Sequence, residues 1–181
     1  MKELSLNILD VAENSVKARA ALTQILLRET ANTLTLTIAD DGCGMDAETV
    51  ARVTDPFYTT RTTRSVGLGL PLLKLEAEMT GGSLTVTSRH EAEQPDDHGT
   101  KVTAVFHTDH IDCPPLGDVI ATVTTLIQGH PDTDFFFRHE REDAEPVELD
   151  TRELREVLGD VPLGSYEVLQ WIEGFLRESY Q

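Results

Sequence analysis

The sequence predicts an α+β fold, a two-layer α/β sandwich with helices on one face of a mixed, mostly antiparallel sheet, followed by a smaller C-terminal α/β unit. Three observations carry this expectation. Apolar residues recur at helical spacing in some segments and alternate with polar residues in others. The resulting order over residues 1–108 is helix, hairpin, helix, loop, helix, hairpin, which suits helices gathered on one face of an antiparallel sheet. Charge divides unevenly: residues 1–108 hold 15 acids and 10 bases, whereas 109–181 hold 17 acids and 5 bases, which puts a boundary near Asp109.

From Leu4 to about Ala21, the residues Leu4, Ile8, Val11, Ala12 and Ser15 follow helical spacing, and Leu9, Val16 and Ala20 widen the stripe. Strands are expected at 23–29 and 33–39, because Leu34, Leu36 and Ile38 alternate with threonine and Thr30-Ala31-Asn32 supplies a turn. The glycine turn Asp41-Gly42-Cys43-Gly44 leads to a short helix around Asp46–Val53 and then to a Thr/Arg-rich stretch ending at Val66. A further helix starts near Gly67–Pro71, since proline is tolerated in a first turn, and stops at Gly81-Gly82. Strands 83–88 and 100–107 flank the polar loop His90–Gly99. Beyond Asp109 the pattern gives a helix from about Pro115 to Gln128, a buried strand at Asp134–Glu140, and helices near Thr151–Leu158 and Ser165–Ser179.

A formal charge of -17 argues against nucleic-acid binding, which relies on clustered lysine and arginine. No apolar run approaches a membrane span and no signal-peptide pattern opens the sequence, so neither membrane insertion nor export is expected and the cytoplasm is the expected compartment. The two cysteines, Cys43 and Cys113, have neither the number nor the spacing of a disulfide framework or a zinc site.

Four elements carry chemistry. Asp10, Asn14 and Lys17 stand at i, i+4 and i+7 of the first helix and share one face. An Asn oxygen there suits Mg²⁺, which takes few protein ligands and completes its octahedron with phosphate and water, and a lysine can neutralise a phosphate. Taken alone, such a trio is usually a solvated helix face. Asp40-Asp41-Gly42-Cys43-Gly44 ends an alternating strand, where a carboxylate can accept from an exocyclic amine and glycine lets backbone approach a ligand. Asp55-Pro56-Phe57-Tyr58-Thr59-Thr60-Arg61 places aromatics beside hydroxyls and a guanidinium. Gly67-Leu68-Gly69-Leu70 opens a helix, whose free N–H groups and dipole favour phosphate.

In this order, the four elements resemble the N, G1, F and G2 boxes of histidine-kinase catalytic domains, members of the GHKL or Bergerat-fold superfamily, and Gly99-Thr100 is similar to the closing G3 element. The resemblance covers residues 1–108. It implies an ATP- and Mg²⁺-binding domain in which Asn14 holds the metal, Lys17 meets a phosphate, Asp40 accepts from the adenine amino group, and Gly42 and Gly44 turn beside the base. It further implies an ATP lid over Phe57–Val66 that includes Thr59, Thr60 and Arg61, with Gly67, Leu68 and Gly69 at the triphosphate and Thr100 at the closing strand. Asp10 stands four residues before Asn14, where ATP-hydrolysing relatives and anti-sigma-type serine kinases carry a general-base glutamate.

The sequence departs from the family pattern in places. No dimerisation helix precedes the N box, His139-Glu140 lacks the proline of a phosphoacceptor motif, and Ser65-Val66 replaces Gly-Thr before Gly67. The expected function is therefore a regulatory phosphotransferase acting on a separate partner protein, with residues 109–181 as an interaction unit. A slow ATPase driving a conformational change is the alternative within enzymes; Glu13-Asn14-Ser15 is similar to the mismatch-repair relatives. An ATP-sensing module without turnover is the alternative outside them.

Overall fold

A computed structural model describes residues 3–55 and 68–181. The first helix, α1 (Leu4–Lys17), buries Leu4, Ile8, Val11, Ala12 and Ser15 along one stripe. It stops short of the expected Ala21 because Arg19 turns to φ 63, a left-handed conformation that ends a helix. The hairpin β1 (Leu22–Glu29) and β2 (Thr33–Asp40) follows. Its register sets Ile25 opposite Ile38 and Leu27 opposite Leu36, so the alternating apolar residues of both strands face the helices.

After α2 (Ala47–Arg52) and α3 (Gly69–Met79), β3 (Ser83–Arg89) and β4 (Gly99–His107) form a second hairpin whose β4 pairs antiparallel with β2. The chain then forms α4 (Val119–Gly129), β5 (Asp134–Glu140), β6 (Val147–Asp150), α5 (Thr151–Leu158) and α6 (Tyr166–Ser179). Asp118 caps α4 by accepting from Ala121 N at 3.0 Å, which sets its start at Val119, four residues after the expected Pro115. The strand β6 has no counterpart in the sequence reading.

The six strands make one sheet in the order β3-β4-β2-β1-β5-β6, antiparallel except where β5 runs parallel to β1. The fold class is that expected, a mostly antiparallel sheet with helices on one face. Residues 109–181 extend this same sheet. Phe135 and Phe137 of β5, Leu126 and Ile127 of α4, and Ile172 and Leu176 of α6 bury themselves in one cluster with Ile8, Ile25, Leu36, Leu73 and Phe106. Among the described residues no helix is long and apolar enough to cross a membrane.

Candidate nucleotide site

Strand alternation carries Leu34, Leu36 and Ile38 into the core and brings Asp40 to the end of the same helix-facing row. Three donors hold its carboxylate. Oδ2 accepts from Ser15 Oγ at 2.6 Å, and Oδ1 accepts from Gly42 N at 2.9 Å and Thr100 N at 3.3 Å. An ionised carboxylate has about four acceptor positions, so three donors leave room for one more. Thr100 Oγ1 lies 2.8 Å from Ser88 Oγ, which also accepts from Met45 N at 2.7 Å, so β3, β4 and the glycine turn are stitched together behind Asp40. The neighbouring Asp41 faces elsewhere, accepting from Ala21 N and Leu22 N at the start of β1.

The glycines divide by cause. A Cβ on Gly42 would stand 2.8 Å from both Cβ and O of Ala18, and Gly44, at φ 73, would overlap the Arg89 carbonyl. Both are required by the packing of this turn, whatever else it binds. Gly69 differs: a Cβ there would meet only Asp10 Cβ, at an ordinary 3.5 Å, so the described protein atoms do not demand glycine. That contact also places Asp10 beside the N-terminus of α3. The N-cap of α3, Leu68, offers no side-chain acceptor, so among the described residues no side chain caps the N–H groups of Gly69 and Leu70, the kind of helix start that favours an anion.

Asp10, Asn14 and Lys17 lie on α1 as the spacing required, away from its buried stripe. Among the described residues, the Asn14 amide and Lys17 ammonium have no hydrogen-bond or ion-pair partner. The side-chain oxygen of Asn14 is a hard donor of the kind Mg²⁺ accepts beside phosphate and water, so the residue present fits that ion. Partial desolvation, aided by the Glu13 carboxylate and opposed by Lys17, raises the Asp10 carboxyl from its ordinary value. Phe57, Thr59, Thr60, Arg61 and Gly67, with the rest of the expected lid, lie outside the described residues.

Residues 2–110 match the family of histidine kinase-, DNA gyrase B- and HSP90-like ATPases. The chain belongs to that family. Its residues 2–110 form a histidine-kinase-like ATP-binding domain. It is 36% identical over 96 residues to the heme sensor protein HssS of Staphylococcus saprophyticus, a match covering 51% of this chain and 20% of that one. It is 32% identical over 87 residues to the sensor histidine kinase YvrG of Bacillus subtilis, covering 46% of this chain and 14% of the relative. The chain thus spans a fifth or less of the length of these relatives. The crystal structure of the N-terminal domain of a DNA repair protein superposes over 83% of this chain and 53% of its own, with a TM-score of 0.58 and 15% identity, which establishes likeness of fold.

Two contacts of this family member escaped the sequence reading. Ser15, 3% exposed, fits the helical stripe as a small filler, yet it is the donor that fixes Asp40. A polar residue inside an otherwise apolar stripe was the available signal. His130, at the C-terminal end of α4, lies 2.9 Å from both oxygens of Glu13 and so joins the later segment to the helix bearing Asn14. Nothing in the local sequence pairs residues 117 positions apart.

Proposed function

We propose that this chain is a Mg²⁺-dependent, ATP-consuming regulatory phosphotransferase that acts on a separate protein from a cytoplasmic position. The observation that carries the reading is the closeness of Asp10 to Gly69, where an added Cβ would stand 3.5 Å from Asp10 Cβ, which sets a carboxyl of raised proton affinity beside the N-terminus of α3. Asp40 accepts the adenine amine while Ser15, Gly42 N and Thr100 N hold it in place. Lys17 and the N–H groups of Gly69 and Leu70 in the first turn of α3 meet phosphate, and Asn14 offers its oxygen to the metal. Magnesium supplies charge neutralisation across the phosphates. Asp10 takes the proton of the attacking hydroxyl or water, a task for which a raised pKa is suited near neutral pH. Phosphoryl transfer asks mainly for such positioning and charge balance.

Incubating the pure protein with γ-labelled ATP, alone and with cell extract, tests this. Label on a second protein supports the phosphotransferase. Free phosphate without labelled protein replaces it with a slow ATPase, and intact bound ATP replaces it with a sensing module.

A further inference from the structure

On α6, Val168, Ile172 and Leu176 are buried, and one flank of that stripe carries Trp171, 53% exposed, and Phe175, 36% exposed. Their rings stack with centroids 5.1 Å apart and an interplanar angle of 10°. An aromatic pair of this area, left in water, forgoes a large apolar gain. Gly174, one turn after Trp171, lies beside the pair on the exposed side, where an added Cβ would meet no described atom within 4 Å. A mid-helix glycine costs stability relative to alanine, and here no neighbour requires it. It leaves a flat strip over which another backbone can pass closely.

Charge identifies the occupant. The five arginines of residues 109–181 are engaged within the chain: Arg138 with Glu140 and Glu148, Arg152 with Asp150, Arg155 with Asp134, Arg177 with Glu173, and Arg141 over the Tyr180 ring. Glu167 stands one turn before Trp171 and Glu178 one turn after Phe175, both exposed on the same side of the helix. A second copy of a chain carrying -17 would meet its own repulsion.

We propose that this face of α6 docks a basic amphipathic helix of another protein, its aliphatic row over Gly174 and against the stacked aromatic pair. Its lysines or arginines reach Glu167, Glu178 and the faces of the rings. The proposal rests on the reading of residues 109–181 as an interaction unit and names its partner's chemistry. The test uses no nucleotide, so its failure leaves the ATP-site assays standing.

Trp171 is the chain's only tryptophan, so tryptophan emission, excited selectively over tyrosine, reports on this patch alone. The full chain is titrated with a synthetic Leu/Lys amphipathic helix, with its Lys→Gln counterpart, and with a scrambled peptide of the same composition. A saturable blue shift is expected with the basic helix, at an affinity at least about tenfold above both controls. Phe175→Ala and Gly174→Leu should each weaken it at least about tenfold, with helical content by circular dichroism unchanged. Equal binding of the Lys and Gln helices, or of the scrambled peptide, overturns the proposal. So does wild-type affinity in Phe175→Ala, which would put the peptide elsewhere on the acidic surface. An emission change with protein concentration alone, accompanied by a doubled mass in light scattering, would assign the face to a second copy instead.

Discussion

Asp40 owes its orientation to Ser15 on a different element, so the adenine contact depends on a residue that need not touch nucleotide. Ser15→Ala removes a hydrogen bond to a charged group, worth about 1.5–3 kcal/mol. ATP affinity by calorimetry should fall by roughly 10- to 100-fold, with the fold kept. Asp40 was legible because an acid before spaced glycines at a strand end stands out, whereas a serine in an apolar stripe does not. Asp10 separates chemistry from binding. Asp10→Asn keeps shape but cannot take a proton, so turnover should drop by about 10²–10⁴-fold while ATP affinity barely moves. Because the Asp10 carboxyl is raised, the acid limb of the wild-type rate profile should lie at higher pH than an ordinary aspartate gives, the rate falling as pH drops through it. A rate flat through that limb, or an unaffected Asp10→Asn turnover, removes Asp10 as the base.

At the N-terminus of α3 and the end of the glycine turn, two glycines should answer differently to one methyl group. Gly69→Ala fits beside Asp10 and should leave the thermal midpoint unchanged or higher, while ATP affinity falls several-fold if phosphate approaches that backbone. Gly44→Ala should lower the midpoint even without nucleotide, since it forces φ 73 on an L-residue and overlaps Arg89. On β5, His139 is 2% exposed, with Nε2 2.7 Å from Glu29 Oε1 and Nδ1 2.7 Å from Tyr180 OH. Burial lowers its proton affinity against the opposing pull of Glu29, and burial pushes the Tyr180 hydroxyl up to about 12. The unfolded chain takes the proton near pH 6.5, before the folded chain does. Stability from this group is therefore complete above about pH 6.5 and lost as pH falls below it. Urea midpoints at pH 7.5 and 5.5 should differ more in wild type than in His139→Gln. Strand alternation made β2 legible, the turn Thr30-Ala31-Asn32 tied β1 to it, and the run Phe135-Phe136-Phe137 marked β5. The four residues of β6 carry too little pattern to read, and only three-dimensional pairing defines that strand.

The charge shift at Asp109 was visible in the sequence, but the sharing of one core across it was not, because the apolar run at Asp134–Glu140 announces a strand without naming its neighbour. β5 covers the outer edge of β1 along seven residue pairs, from Leu22↔Asp134 to Arg28↔Glu140, and α4 packs on α1. A chain cut after residue 110 should therefore expose the β1 edge and the apolar face under α4, and lose its cooperative melt or aggregate. A sharp two-state melt of that fragment would show that the first 110 residues stand alone. The parallel pairing of β1 and β5 also sets a timetable. About 100 residues separate the two strands, and at roughly 5–20 residues per second a ribosome needs about 5–20 seconds to deliver the second. Throughout that interval the nascent chain carries a bare row of backbone donors and acceptors on β1. Its period of greatest vulnerability is thus fixed by translation speed and not by the stability of the finished protein.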